Sequence, residues 1–337
     1  MKNIVNPKKL SFFKKIFIKI CRKLGYEIID QNKFEVVTSN KKINEELSSL
    51  GSKSINLPLG EIKITRKVRA LDIIIRTCAS VNMLTQNKKR LFEKEKKEYS
   101  LRSLVSICKN ISNLKKEFKN LNIFLKVIDD NSQKNIINEI NRICIENNIN
   151  YEVSNLNISK YKDSMKFKDN KRMLAHNSHI FQSKEFAIKS DFDLLYFVED
   201  DYIHEDDALV EMIYSYQKFS SQLNDEVILC PADYPYLYVE TNNTKNFIGF
   251  KKHWRLIDQT LCTYLISKET LEKFWPYYED MFLNTYDPYE KPLHEIYKKI
   301  NCFSPMPSLA LHLTNLNSIY GLSPLKDWVK IWEKNKF

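Results

Sequence analysis

The sequence predicts an α/β protein whose mostly parallel sheet is flanked by helices. Two patterns predict this fold class. Between residues 70 and 220, short apolar runs alternate with segments in which apolar residues recur at helical spacing, and one such run ends in a cluster of acids. A third pattern, a basic and amphipathic stretch within the first 24 residues, predicts an additional N-terminal helix.

The composition indicates a globular protein without a membrane span. The 337 residues allow one large α/β domain or two ordinary ones, and 43% hydrophobic residues are enough for a sizeable core. The seven cysteines include no close pair such as CxxC, and no secretory signal precedes them, so we expect reduced thiols in a cytoplasmic protein. No apolar run approaches the roughly 20 residues that span a bilayer.

The N-terminal stretch carries much of the net charge of +11, because residues 1–23 contain eight Lys or Arg and no acid. A basic amphipathic helix with aromatic anchors suits an anionic membrane surface, which here would be the inner face of the membrane. The alternatives are a solvated helix packed on its own domain and a nucleic-acid-binding arm. We expect residues 1–65 to form this leader and a linker. The apolar residues on one face of the helix are Phe13, Ile16, Phe17, Ile20 and Leu24.

The alternation begins with an isoleucine-rich run at 71–75, which is typical of a buried strand. Ser132 and Asp206 are the expected caps of two of the helices that follow. A strand–helix alternation of this kind indicates parallel strands joined by crossover helices. The later strands are expected at 122–128, 149–155 and 193–198, with helices over 101–111, 136–144 and 173–188 and from 206 onward.

Beyond residue 225 the regular alternation ends. A polar insertion at 251–259 separates two apolar runs, and an aromatic-rich loop at 284–290 enters a helix. A strand is expected at 226–230, helices at 268–278, 291–300 and 324–334, and a further apolar run at 307–313, while the segments 246–250 and 260–267 flank the insertion.

Acidic residues follow two of the predicted strands. Asp129 and Asp130 end one strand, and the EDD segment (Glu199, Asp200 and Asp201) ends another. In parallel α/β sheets the functional crevice lies beyond the carboxyl ends of the strands, where helix N-termini also favour phosphate. Such a site suits Mn²⁺ or Mg²⁺ bridging the protein to a diphosphate, although a solvated turn is the alternative. The basic residues expected to neutralise the diphosphate are Lys171, Arg172 and Arg255.

These two motifs resemble those of GT-A-fold glycosyltransferases that use nucleotide-sugar donors, over roughly residues 70–315. The resemblance implies a GT-A-like, Rossmann-like sheet and a UDP- or GDP-linked donor. It places Asp129 and Asp130 at the base or ribose, and the EDD segment at the metal and diphosphate. Other residues take their implied roles by position: Arg76 and Thr77 open the nucleotide site, Asp200 contacts the donor, and Glu199, Asp201 and His312 bind the metal.

The resemblance also implies where the acceptor is activated. In inverting members, a carboxylate well after the metal motif acts as general base on the acceptor hydroxyl. Glu290 and Asp287 are the candidates for this base, with Asp258 as their rival. We therefore expect residues 66–220 to bind the donor and residues 221–337 to bind a glycan or lipid-linked acceptor.

Two other functions fit parts of the sequence. A nucleotidyltransferase that makes a sugar nucleotide would use similar acids, but it needs a Gly-rich basic first loop, and the segment RTCASVNMLTQNKKR has the charge without any Gly. A nucleic-acid-binding protein without catalysis would fit the net charge, yet the conspicuous basic cluster is confined to the leader. We therefore expect a nucleotide-sugar donor and no nucleic-acid partner.

Overall fold

A computed structural model describes residues 12–26, 63–79, 90–167, 169–239, 244–314, 316 and 318–337. The chain divides into two compact units, Met1–Ile62 and Lys63–Phe337. The rest of the predicted leader and linker, and the loop at 80–89, lie outside the described residues. Within the part that is described, no helix has both the length and the apolar character needed to cross a bilayer.

In the first unit, helix α1 occupies Phe12–Lys23. None of its residues is buried, and Phe13 and Phe17 are 81% and 60% exposed. The helix ends in Arg22 and Lys23, as the helix dipole favours, although its first turn contains no acid to complement the other end. It presents an apolar face beside a basic one.

The second unit alternates strands and helices over most of its length. Its strands are β1 at Ala70–Thr77, β2 at Asn122–Asp129, β3 at Tyr151–Asn155, β4 at Leu194–Glu199, β5 at Tyr202–His204, β6 at Ile228–Leu229, β7 at Asn246–Ile248, β8 at His253–Ile257, β9 at Tyr264–Ser267, β10 at Cys302–Met306 and β11 at Ala310–His312. Its helices are α2 at Lys96–Glu117, α3 at Lys134–Glu146, α4 at Lys171–Ile188, α5 at Ala208–Leu223, α6 at Lys268–Lys273, α7 at Trp275–Leu283, α8 at Lys291–Tyr297 and α9 at Trp328–Lys334.

Nine of these strands form one sheet, in the order β3-β2-β1-β4-β9-β6-β10-β8-β7. The first four are mutually parallel. Strand β9 is antiparallel to both β4 and β6, β10 is parallel to β6, and β8 is antiparallel to β10 and β7. Of the nine strands, seven therefore run in one direction, with β9 and β8 reversed. The prediction of a mostly parallel sheet in an α/β fold is confirmed.

Strand β1 shows why the sheet is covered on both faces. Ile73 and Ile75 pack in a core that includes Leu104 of α2, whereas Ile74 packs in a second core with Ile180 of α4. Successive side chains of a strand point to opposite faces, so an unbroken apolar run needs helices on both sides. Each fully buried isoleucine contributes about 1.5–3 kcal/mol through its burial.

Three details differ from the sequence predictions. The predicted polar insertion contains β8, in which Trp254 and Arg255 are buried because β7 and β10 pair with it on both sides. Ser132 does not cap α3; its hydroxyl donates instead to Asp129 Oδ1 at 2.7 Å. Asp206 does not cap α5 either, because the side chain of Lys334 pairs with it.

Candidate functional site

The parallel register of β1 and β4 brings the first two site residues together. Arg76 lies opposite Glu199 at the carboxyl ends of these strands, and Arg76 Nη2 donates to Glu199 Oε1 at 2.9 Å. The hydroxyl of Thr263 accepts from the Glu199 backbone N–H and lies 3.4 Å from Glu199 Oε2. The Arg76 guanidinium is 8% exposed, so the two charges stabilise each other out of water. The carboxylate of Glu199 is therefore already paired with Arg76 and lies next to Thr263.

Asp200 ties the loop after β1 to the start of α2. Its Oδ2 accepts hydrogen bonds from the Cys78 backbone N–H at 3.0 Å and from the Ser100 hydroxyl, and its Oδ1 pairs with the Lys96 ammonium. Both carboxylate oxygens are therefore used by protein donors. This geometry favours a positioning role for Asp200 instead of the donor contact predicted from the sequence.

Asp201 and His312 meet because β5 and β11 pair in a small second sheet. The register sets His312 opposite Tyr202, and the Leu313 backbone N–H donates to the Asp201 carbonyl at 2.8 Å. His312 Nδ1 then donates to the Tyr320 carbonyl at 2.6 Å, which turns Nε2 toward Asp201 Oδ2 at 3.5 Å.

The electrostatics of this pair favour opposite charges. Burial opposes ionisation of Asp201, but His312, Lys96 and Arg90 outweigh it and hold the pKa of Asp201 below its usual value. Burial likewise opposes protonation of His312, but Asp201 and then Glu199 raise the pKa of His312 above its usual value. The imidazole and the carboxylate therefore favour each other's charged forms.

The predicted three-ligand metal set of Glu199, Asp201 and His312 is not assembled. In the described part of the chain, no group of three or more His, Cys, Asp or Glu side chains is placed to hold a metal ion. Asp201 and His312 converge, whereas Glu199 faces Arg76. A carboxylate and an imidazole nitrogen still fit a divalent cation, provided that substrate phosphates supply further oxygens.

Asp129 and Asp130, the two acids that follow β2, have different surroundings. Asp129 is buried, and it accepts from the Thr77 hydroxyl at 2.8 Å and from the Ser132 backbone N–H and hydroxyl at 2.7 Å each. These bonds use both oxygens and close the turn. Asp130 is only partly buried, and burial raises the pKa of its carboxyl even though Cys78 and Asn131 contact it. Of the residues predicted to contact the base or ribose, Asp130 keeps the more accessible carboxylate, while Thr77 and Asp129 hold the turn.

The structure separates the three candidate bases. Burial, followed by repulsion from Glu199, raises the pKa of Glu290 from 4.5 to about 7, and the side chain makes no helix-capping bond at the start of α8. Asp287 and Asp258 are exposed. A group is an efficient general base when its pKa lies near the working pH, so the raised pKa favours Glu290 among the three candidates.

The three basic residues that the sequence predicts at the diphosphate lie in two different places. Lys171 and Arg172 are exposed in the first turn of α4, which begins at the carboxyl edge of the sheet because it follows β3. Arg255 lies instead on β8 and pairs with buried Asp233. Strand β8 is four strands from β4, a separation of about 19 Å across the sheet. The structure therefore does not bring Arg255 to the EDD segment.

Sequence reasoning missed two cations of the site, Arg90 and Lys96. Arg90 Nη2 lies 3.5 Å from Asp201 Oδ2, and Lys96 pairs with Asp200. The segment KKRLFEKEKK that contains both is plainly basic, but the pattern alone does not tell which of its cations face inward. The described part of the site thus pairs each acid of the EDD segment with a cation.

His176 and Tyr289 adjoin Arg76 and were not predicted as site residues. Burial and the charge of Arg76 lower the pKa of His176 to about 3, so its imidazole is neutral. The Tyr289 ring meets the His176 ring edge-on at 5.1 Å, and its buried hydroxyl has no hydrogen-bond partner among the described residues. A buried hydroxyl of this kind can bind a polar group of a ligand.

Comparisons with known proteins find no match in sequence, either to a protein-family model or to a curated protein. Solved structures with a similar course of the chain include the galactosyltransferase LgtC in complex with donor and acceptor sugar analogues, at 9% identity and a TM-score of 0.33, over 66% of this chain and 70% of that chain. The glycosyltransferase GlyE of Streptococcus pneumoniae matches at 11% identity and a TM-score of 0.38, over 79% of this chain and 63% of that chain.

A third similar structure is the inositol-1-phosphate CTP transferase from T. maritima, at 10% identity and a TM-score of 0.38. That match covers 80% of this chain and 97% of the other. Because all three TM-scores lie below 0.5, the function of this chain has to be inferred from its own sheet and site.

Proposed function

We propose that this protein is a glycosyltransferase that moves a sugar from a nucleoside-diphosphate donor to a glycan or lipid-linked acceptor. One observation carries the proposal: Glu290, with a pKa near 7, is partly buried within the electrostatic field of Glu199, Arg76 and His312. The carboxylate proposed as the general base thus lies near the EDD segment and the cations that pair with it. That combination suits activation of a hydroxyl beside a phosphate leaving group.

On the donor side, we propose that Asp130 contacts the base or ribose and that Asp201 and His312 hold Mn²⁺ or Mg²⁺. When bound, such an ion stabilises charge that develops on the phosphate oxygens. Asp200 orients the loop after β1, and Arg76 holds Glu199 away from the phosphates. We propose a UDP- or GDP-linked donor, as the resemblance in sequence implies.

On the acceptor side, Glu290 takes the proton of the attacking hydroxyl. The acceptor oxygen then forms a bond to the anomeric carbon while the bond from that carbon to the diphosphate oxygen breaks. The electron pair leaves with the nucleoside diphosphate, and the configuration at the anomeric carbon inverts. Tyr289, whose hydroxyl has no partner among the described residues, and His176, whose imidazole is neutral, would orient a sugar hydroxyl.

The first test is calorimetric titration with UDP, GDP and CDP, each with and without Mn²⁺. We expect one nucleotide to bind only when the ion is present, and Asp201→Asn to abolish this binding because it removes a carboxylate ligand. Asp207→Asn is the matched control, since Asp207 is an exposed acid in the same acidic stretch. Failure of the wild-type protein to bind any of the three nucleotides would contradict the proposal.

An assay of the released products separates the nucleotidyltransferase alternative. A nucleotidyltransferase would bind a nucleoside triphosphate and release pyrophosphate in the presence of a sugar phosphate. A glycosyltransferase would release a nucleoside diphosphate from a sugar nucleotide. Pyrophosphate release without diphosphate release would therefore favour the alternative.

We also propose that α1 holds the protein at an anionic membrane surface. The exposed aromatic and aliphatic residues of α1 lie beside cations, and the described helix contains no acid. Each Lys or Arg near an anionic surface contributes about 1 kcal/mol of attraction, and buried aromatic rings add to it. Charge and apolar surface together suit a phosphatidylserine- or phosphatidylglycerol-containing bilayer.

Co-sedimentation with lipid vesicles tests this role of α1. We expect the full chain to bind vesicles that contain phosphatidylglycerol, because the anionic headgroups attract the cations of α1. Binding should fall at least about tenfold for phosphatidylcholine vesicles or for the double change Phe13→Ser and Phe17→Ser. Equal binding of the double variant would contradict the proposal, and tight binding of duplex DNA through α1 would favour the nucleic-acid alternative.

A further inference from the structure

We infer that Arg90 is a further donor-binding residue, which takes the diphosphate of the nucleotide donor, and that helix α9 holds Arg90 in place through Trp332. The inference rests on the proposed function, because it names a group that binds the phosphates of the same donor. It adds an anion contact from the segment after β1, and it links the C-terminal helix to donor binding.

The guanidinium of Arg90 is mostly buried and lies next to the carboxylate of Asp201, but not all of its N–H groups have a hydrogen-bond partner among the described residues. Its side chain is 12% exposed, and Nη2 lies 3.5 Å from Asp201 Oδ2. This separation allows Coulombic attraction, but Nη2 has no hydrogen-bond partner among the residues that the structure describes. A buried donor without an acceptor costs free energy that a bound ligand would recover. The orphaned Nη2 therefore marks a place for an acceptor oxygen beside Asp201.

A phosphate oxygen is the acceptor that fits this place. Arg76 and Lys96 are already engaged by Glu199 and Asp200. The ion pair of Arg90 with Asp201 is longer, and Nη2 of Arg90 makes no hydrogen bond among the described residues, so this N–H group can still donate to a ligand. Guanidinium matches the spacing of phosphate oxygens and forms charge-assisted bonds with them, which are stronger than bonds between neutral groups.

The turn that carries Arg90 is strained and is held by aromatic packing. Phe92 and Glu93 have φ values of 72° and 47°, in the left-handed region that non-glycine residues rarely occupy. The Phe92 ring stacks on Trp332 with centroids 4.4 Å apart, and the Tyr99 ring lies 5.1 Å from Trp332. The Arg90 guanidinium rests over Tyr99 at 4.8 Å. Trp332 is thus the support on which the turn and Arg90 depend.

Trp332 is itself fixed in position. Its side chain is 2% exposed. Arg102 Nη1 donates to the Trp332 carbonyl at 2.6 Å, and the Arg102 guanidinium lies over the indole at 4.3 Å. These contacts tie α9 to α2, the helix whose first turn carries Lys96. Loss of the indole would release the Phe92–Glu93 turn and, with it, the guanidinium of Arg90.

The test measures the dissociation constants of UDP and GDP, with Mn²⁺, for the full-length chain and its variants. Arg90→Gln should weaken nucleoside diphosphate binding about 10- to 100-fold, the size expected for a charge-assisted hydrogen bond, and should leave uridine or guanosine binding unchanged. Trp332→Leu should reproduce that loss, and Trp332→Phe should restore most of the affinity because a ring remains to stack on Phe92. Trp328→Leu, a more exposed tryptophan of the same helix, is the matched control.

The outcomes separate this inference from the proposed function. Diphosphate binding by the wild type together with unchanged binding by Arg90→Gln would overturn the inference and leave the glycosyltransferase proposal standing. Weakening by Arg90→Gln but not by Trp332→Leu would overturn the positioning role of α9. If the wild type binds no nucleotide, the proposed function fails and the inference fails with it. Circular dichroism identifies a variant that is unfolded. If Trp332→Leu is unfolded, Phe92→Leu removes the ring that stacks on Trp332 and should show the same loss of affinity, and unchanged affinity would overturn the positioning role.

Discussion

Replacing Glu290 with Gln is expected to lower the rate of sugar transfer about 10²- to 10⁴-fold, because it removes the general base while keeping the shape of the side chain. Donor binding should change little, since the carboxyl acts on the acceptor hydroxyl. The wild-type rate should rise with pH up to about 7, as Glu290 loses its proton, and then level off. The measurement is the pH profile of kcat for both proteins.

The same substitution should stabilise the protein at high pH. Burial raises the pKa of Glu290 to about 7, so its protonated form is favoured in the folded state. The stabilising contribution is complete below the unfolded pKa of 4.5 and is lost as the pH rises through 7. At pH 8 the Gln variant should therefore unfold with a free energy about 2–3 kcal/mol higher than that of the wild type. Urea titrations at pH 5 and pH 8 measure this difference.

Asp287→Asn and Asp258→Asn are the matched controls for Glu290. Both carboxyl groups are exposed, so each variant should keep its activity within a few fold and its stability at both pH values. If one of these changes abolished transfer while Glu290→Gln did not, that residue would be the base. Glu290 would then not be the general base.

Replacing Asp200 with Asn is expected to lower the free energy of unfolding by about 3–5 kcal/mol, the typical cost of leaving one partner of a buried ion pair uncompensated. Lys96 and Asp200 have side chains that are only 8% and 10% exposed, and Asp200 also holds Ser100 and the Cys78 backbone. The midpoint of urea unfolding should fall with an unchanged slope.

The control for Asp200 is Glu139→Gln, which breaks an exposed ion pair with Arg142 and should leave the urea midpoint in place. Adding Lys96→Met to Asp200→Asn should recover part of the lost stability, because the buried charge without a partner is removed. If Asp200→Asn left stability intact but abolished nucleotide binding, Asp200 would contact the donor, as the sequence predicts, instead of anchoring the loop.

The order of elements in the first half of the sheet could be predicted because its signals are local. The run around Ile74 is apolar on both faces, and the residues after it recur at helical spacing, so periodicity alone indicates a buried strand and a covering helix. The acids at 199–201 likewise follow directly from where an apolar run ends. Strand β8 could not be found in this way, because Arg255 is buried only through its pairing with Asp233 and the strands on either side.

The sequence by itself determined the α/β alternation, the acidic strand ends and the amphipathic leader, since each depends on neighbouring residues. Only the tertiary structure decided which of those acids form ion pairs or hydrogen bonds within the protein, and which residues are their partners. His312 reaches Asp201 through the pairing of β5 with β11, and Arg90 is held by an indole far away in the chain. Burial raises the pKa of Glu290, whereas the carboxyl group of Asp287 is exposed. Charge pairing and burial depend on groups brought together by folding, and no local pattern in the chain encodes them.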